Sequence, residues 1–240
     1  MTISIDESQR KALKAAAWLY LLLIVSAPIG LLYVSSKLIV AGNAAATADN
    51  IRASDWLFRI GMGTELFHQA IAIFLVLALY RLLKPVNQQH AKLMVILGAL
   101  VSVPIMFVNV LNEIAALILV NGADYLSVFS KSQLDSLALL FLRLHEQGIE
   151  ITQIFWGLWL FPYGILVIRS GFIPRLLGVL LFIAGSGLLV SSFTSILLPQ
   201  HAGVGGQFAM LDFGEFPIIF WFFIRALWPS RITPPDGTSS

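Results

Sequence analysis

Residues 132–178 read SQLDSLALLFLRLHEQGIEITQIFWGLWLFPYGILVIRSGFIPRLLG, and the fold turns on how this stretch is interpreted. It is an apolar helix with Arg143, His145, Glu146 and Glu150 inside it, ending in a basic elbow, RSGFIPR. Ser132 followed by Asp135 three residues later reads as a helix start. The helix then continues to Ile168, about 35 residues or roughly 50 Å. That exceeds a bilayer core of about 30 Å, so the helix must protrude, tilt or bend, with Gly148 and Pro162 as bending points. Charged side chains at such depth cost several kcal/mol each unless paired or hydrated, so they belong in a bundle interior.

Composition places the rest of the chain in the same class. Hydrophobic residues make up 58% of the 240 and charged residues only 12%, with a mean hydropathy of +0.86. Soluble domains keep about a quarter of their residues charged, so lipid is the main solvent and main partner here. A formal net charge of +2 gives no footprint for nucleic acid. With no cysteine, disulfides, thiolate metal sites, iron–sulfur clusters and thioether-linked haem are excluded.

Outward from the central helix, the hydropathy pattern predicts an all-α integral membrane bundle of six transmembrane helices. The spans cover residues 13–34, 56–83, 93–120, 134–168, 176–198 and 208–228. Residues 1–12 form a cytoplasmic N-terminal segment, 13–228 a single transmembrane domain, and 229–240 (PSRITPPDGTSS) a disordered cytoplasmic tail. Pro28 and Gly30 kink the first span, Ala44–Ala53 make a short surface helix, and Pro85 with Asn87 mark a turn. Lysine and arginine placement sets the orientation. Arg10, Lys11, Lys14, Arg81, Lys84, Lys92, Arg169, Arg175, Arg225 and Arg231 fall on one side, and Lys37, Arg52 and Lys131 on the other. Both termini are therefore expected to be cytoplasmic.

Under that topology the polar residues gather in the outer half of the membrane. The candidates for a ligand pocket are Glu65, His68, Asn112, Glu113, Arg143, His145, Glu146, Glu150 and Glu215. Glu65, His68 and Gln69 share one helix face, as do Asn109, Asn112 and Glu113. Arg143, Glu146, Glu150 and Gln153 form a stripe from which His145 points away, toward a different neighbour. The plainest account of these residues is internal: Arg143 neutralises Glu146, and Asn109 and Asn112 are interhelical hydrogen-bonding glue.

A metal is the sharper alternative, with His68, His145, Glu65 and Glu146 as candidate ligands. Glu65-x-x-His68 repeats the spacing of carboxylate-bridged di-metal bundles, although no second copy exists. His145-Glu146 opens like a zinc-protease motif, but Ile149 stands where the second histidine belongs. Haem between His68 and His145 rests on two histidines at similar depth and nothing more. No mid-helix lysine, Gly-x-Ser-x-Gly, Walker loop or dinucleotide fingerprint occurs. Gly178, Gly185 and Gly187 read as close-packing positions.

LFLRLHEQG, FWGLWLFPYG, VIRSGFIPRLLGVLL, LYRLLKPVN and the pair Gly214-Glu215 resemble the bacterial domain-of-unknown-function 4386 family over nearly the whole chain. The resemblance implies a multi-pass bacterial membrane protein and carries no activity, substrate or catalytic residue with it. It implies a histidine at the position of His145 and a glutamate at that of Glu215 as typical. The position of His68 often holds another residue, which weakens any metal site built on it.

These readings lead to a protein of the bacterial inner membrane with a pocket that opens outward and binds or carries a small ligand, ion or proton. No cofactor is predicted, a metal or haem being the open alternatives, and no catalytic residue is assigned. Two other readings compete. One is a metal-dependent hydrolase of lipid-like substrates, with His145 and His68 on the metal and Glu146 or Glu65 as base. The other is a structural or accessory subunit whose polar residues only fix packing.

Overall fold

Every apolar run that the structure describes is helical, and helix is the regular structure found among the described residues. The computed structural model describes residues 5–28, 33–201 and 210–228. Helix α1 (Glu7–Ala27) opens under a capping box made by Asp6 and Gln9. Regular α-helix ends at Ala27, and Pro28 enters a π-helical turn. The short α2 (Ser35–Leu38) leads to α3 (Ala44–Ala53), capped by Asn43, which turns Thr47, Ala48 and Ile51 inward.

Four long apolar helices follow or flank this segment: α4 (Asp55–Leu83), α5 (Gln88–Asn121), α6 (Lys131–Ser170) and α7 (Arg175–Leu197). All four are long and apolar enough to cross a membrane. The 21 residues of α1 include Glu7, Arg10, Lys11 and Lys14. The last helix, α8 (Phe216–Leu227), has 12 residues and is entered through a 3-10 turn, Met210–Glu215. At 1.5 Å per residue α8 covers about 18 Å, less than a bilayer core.

These bounds correct several expectations. The first helix begins six residues earlier than the predicted 13–34 span; its regular α-helix ends at Ala27, Pro28, Tyr33 and Val34 are π-helical, and residues 29–32 lie outside the described ones. Of the expected helix over 208–228, Met210–Glu215 is a 3-10 turn and Phe216–Leu227 is α-helix, residues 208–209 lying outside the described ones. The tail 229–240 also lies outside the described residues. The cap of α6 is Ser130 rather than Ser132, in a box with Gln133. Asp135 is thereby freed from capping and binds two cations instead: Arg52 from α3, and Lys131 at 2.8 Å. Pro162 does not interrupt α6, which ends at Gly171 with φ +75°.

α5 contains a π-helical turn, Ile96–Val101, directly before Pro104. A proline inside an α-helix collides with the carbonyl four residues back, here Leu100, and the wider turn removes that collision.

Antiparallel α6 and α7 meet through two glycine pairs. A Cβ on Gly157 would lie 2.8 Å from the Gly185 carbonyl oxygen, and one on Gly164 would lie 2.9 Å from that of Gly178. The reciprocal approaches are 2.7 and 2.8 Å, so backbone touches backbone at both levels, as the sequence pattern suggested.

Packing divides the bundle into two apolar cores. One joins α1, α7 and α8 to the Leu75–Leu83 half of α4 and the Trp159–Val167 half of α6. The other joins α3 to Phe58 and Met62 of α4, Val110–Val120 of α5, and Ala138 and Leu142 of α6. Along α4 and α6, Glu65, Gln69, His145 and Thr152 are buried between these two cores.

Candidate functional site

His145 stands on the α6 face turned toward α4 and α5, and its ring is buried between two acceptors. Nδ1 lies 3.4 Å from the backbone oxygen of Asn109 on α5. Nε2 lies 3.4 Å from Glu65 Oε2 on α4. A carbonyl can only accept, so a hydrogen bond there needs the proton on Nδ1, and Nε2 is then turned to the carboxylate. Glu113 of α5 completes the group: one ligating atom from each of Glu65, Glu113 and His145 lies within 4.8 Å of the other two.

The backbone of α6 is held at this point as firmly as the ring. Asn109 Nδ2 donates to the His145 carbonyl at 2.9 Å, and Asn112 Nδ2 donates to Asn109 Oδ1 at 3.0 Å. The Asn109 amide fits because residue 148 is glycine, where a Cβ would sit 2.0 Å from Asn109 Oδ1. Gly148, expected as a bending point, therefore serves as a slot for a neighbouring helix.

The carboxylates are only partly satisfied. The Glu65 side chain is 9% exposed, yet its Oε1 has no hydrogen-bond partner among the described residues, and neither has Glu113 Oε2. A buried acceptor left unpaired costs about 1–3 kcal/mol, more if charged. This group therefore has acceptor capacity to spare.

The remaining sequence candidates lie elsewhere. His68, one turn along α4 from Glu65, lines a cleft with Ser26, Glu65, Gln69, Met106 and Trp156. Its Nδ1 is 3.0 Å from Ser26 Oγ, which also donates to the Leu23 carbonyl. Arg143 and Glu146 pair with each other at 2.7 Å on the exposed surface, with side chains 49% and 42% exposed. Glu150 faces α7 beside Ser195. Its Oε2, Gln153 Oε1 and Ser192 Oγ are buried without hydrogen-bond partners among the described residues. Glu215, at the junction of the 3-10 turn and α8, interacts with the buried Tyr20 and Tyr163, whose hydroxyls are 3.4 Å apart.

A family model described as "Domain of unknown function (DUF4386)" matches residues 15–226. The chain belongs to this family. The match takes in every candidate residue above, and the DUF4386 description assigns a function to none of them. The chain is also 35% identical over 78 residues to an uncharacterized protein of Archaeoglobus fulgidus, covering 32% of this chain and 45% of that one. It thus spans less than half the length of that curated relative. No solved structure matches.

In this DUF4386 member the structure divides the candidate residues differently from the sequence reading. Glu113, grouped with the pocket but not with the metal candidates, joins Glu65 and His145. Glu146, proposed as a ligand or base, turns to the surface with Arg143. The pairing of His68 with Ser26 was not anticipated, because Ser26 sits in an apolar run with no companion polar residue nearby. One signal could have found the slot: Gly148 is three residues from His145, on the same face, where a missing side chain lets a neighbour approach.

Proposed function

We propose that the protein crosses the bacterial inner membrane six times, with both termini cytoplasmic, and binds a small cation, either a metal ion or an organic cation, at Glu65, Glu113 and His145. One observation carries this reading: two carboxylates, Glu65 buried and Glu113 half-buried, each with a buried oxygen that lacks a partner among the described residues, converge on a single imidazole. With neutral imidazole and both carboxylates ionised the group holds two negative charges. Burying these without compensation is strongly unfavourable, so the site takes up positive charge.

The level of the site supports entry from outside. Glu65, Glu113 and His145 each stand roughly 20 residues from a basic residue of the opposite end (Lys84, Lys92 and Arg169), about one bilayer core along a helix. That puts the group at the outer edge of the core. At the same level the exposed Arg143–Glu146 pair would reach hydrated headgroups. A hydrolase using His68 and His145 together, with Glu146 as base, gains no support from this geometry, because His68 is held by Ser26 and Glu146 by Arg143.

The test is a melting experiment on full-length, chelator-treated protein in mild detergent, followed by tryptophan fluorescence. A panel of sodium, potassium, magnesium, calcium, zinc, manganese and small amines is added. At least one cation should raise the midpoint saturably, the rise being absent in His145→Ala and kept in the surface variant Arg59→Gln. If no cation produces a saturable rise, the binding reading falls.

A further inference from the structure

Resting on that cation-binding reading, we infer that Glu65, Glu113 and His145 form a site for a divalent first-row transition metal of the zinc class, with His145 Nε2 and one carboxylate oxygen from each glutamate as ligands. Three helices contribute one ligand each, and the three ligating atoms already lie within 4.8 Å of one another. The Glu65 Oε2–His145 Nε2 separation of 3.4 Å matches the edge of a tetrahedron whose metal–ligand bonds are roughly 2.1 Å, the usual length for zinc to nitrogen or carboxylate oxygen. Glu113, with an oxygen within 4.8 Å of both other ligand atoms, would close the remaining two edges.

The surroundings are those of a supported ligand. A metal-binding histidine generally hands its second ring nitrogen to a carbonyl or carboxylate, which fixes the tautomer and frees the other nitrogen. Here Nδ1 faces the Asn109 backbone oxygen, while the Asn109 side chain holds the His145 carbonyl. Gly148 opens the space for that amide. The buried oxygens that lack partners, Glu65 Oε1 and Glu113 Oε2, belong to the two proposed carboxylate ligands. Their side chains remain acceptors in search of a cation.

The donor set also sets the class of ion. Magnesium and calcium prefer six or more oxygen ligands and retain water, whereas one imidazole and two carboxylates suit zinc, manganese, iron(II) or cobalt. Two ionised carboxylates and a neutral imidazole carry the charge that a divalent ion cancels. Three protein ligands leave a coordination position for water or a small ligand. Glu65 also lines the cleft that holds His68 and Trp156, so the ion would border that cleft.

Cobalt(II) is the probe. Chelator-treated full-length protein in mild detergent is titrated with cobalt and followed by its visible d–d absorption, then challenged with zinc. The expected result is saturation at a single cobalt per chain and loss of the band on adding zinc. Glu113→Gln should weaken cobalt binding at least tenfold and His145→Ala should abolish the band, with melting curves showing that each variant is folded. Should either variant fail to fold, Gly148→Ala provides the second reading, weakening cobalt binding about tenfold through the displaced Asn109 amide. Absence of a band in the wild-type protein, or a band unchanged in the folded variants, overturns the metal site. A midpoint raised by a monovalent or organic cation but not by cobalt or zinc overturns it too, yet leaves cation binding intact. No response to any cation removes both.

Discussion

Two buried carboxylates in this bundle have opposite surroundings. Asp135, 3% exposed, is held by Arg52 and Lys131, and Arg52 also donates to the Val120 carbonyl and to Asp49. Glu65, 9% exposed, meets one loosely placed imidazole at 3.4 Å and keeps an oxygen unpaired beside a second glutamate. The first arrangement closes a charge network that ties α3, α5 and α6 together, and nothing further is needed. The second leaves oxygens of Glu65 and Glu113 without partners among the described residues, and the proposed cation would supply them. A buried charge with its partners in place is architecture, whereas one without them marks where a ligand belongs.

The largest effect is expected at the closed network. Asp135→Asn removes the buried anion shared by Arg52 and Lys131, leaving them only the exposed Asp49, and should lower unfolding stability by about 3 kcal/mol, measured by denaturant melts in detergent. A loss below about 1 kcal/mol would erase the contrast. Nearly as large is the cation-linked effect at the open site. At a cation concentration of 100 Kd the wild type should gain about 2.7 kcal/mol, and Glu65→Gln should forfeit most of it. Full retention by that variant would sink the assignment of Glu65.

Between these sites the packing seam offers an independent scale. Gly185→Ala pushes a methyl group against the Gly157 carbonyl and should destabilise by about 1–3 kcal/mol, with cobalt or other cation affinity unchanged in the folded fraction. A coupled loss of affinity would mean that the glycine seam and the site are one unit. The smallest effects sharpen the comparison from the other side. Without cation, Glu65→Gln should change stability by less than about 1 kcal/mol, because it removes a poorly compensated charge. Arg143→Gln, which breaks an exposed pair, should likewise stay below about 1 kcal/mol.

Much of the helical plan was legible in the chain. Long apolar runs announced α4 to α7, and the Asn87 and Gly171 breaks fell where turn chemistry requires them. The glycines of α7 were legible as packing positions because a missing side chain on an apolar helix has few other uses. The site was legible by level and not by membership. Helical periodicity assigned Glu65, Glu113 and His145 to faces of three separate helices, and no local rule says which faces meet. Setting Glu146 beside His145 in the metal alternative ran against that periodicity, which turns His145 about 100° away from its neighbour's stripe.

Hydropathy by itself determined that this chain is helical, with helices long and apolar enough to cross a membrane. These properties depend on transfer free energies that each residue carries with it. Tertiary structure alone decided which polar groups share a site. The α6–α7 contact at the glycines, the π turn before Pro104 and the Asn109–Gly148 slot set how the helices are rotated against each other. A rotation of one residue's angle would exchange His145 for Glu146 at the centre. That choice is made by close packing between helices, where contacts a few ångströms long decide the energy and sequence distance is irrelevant.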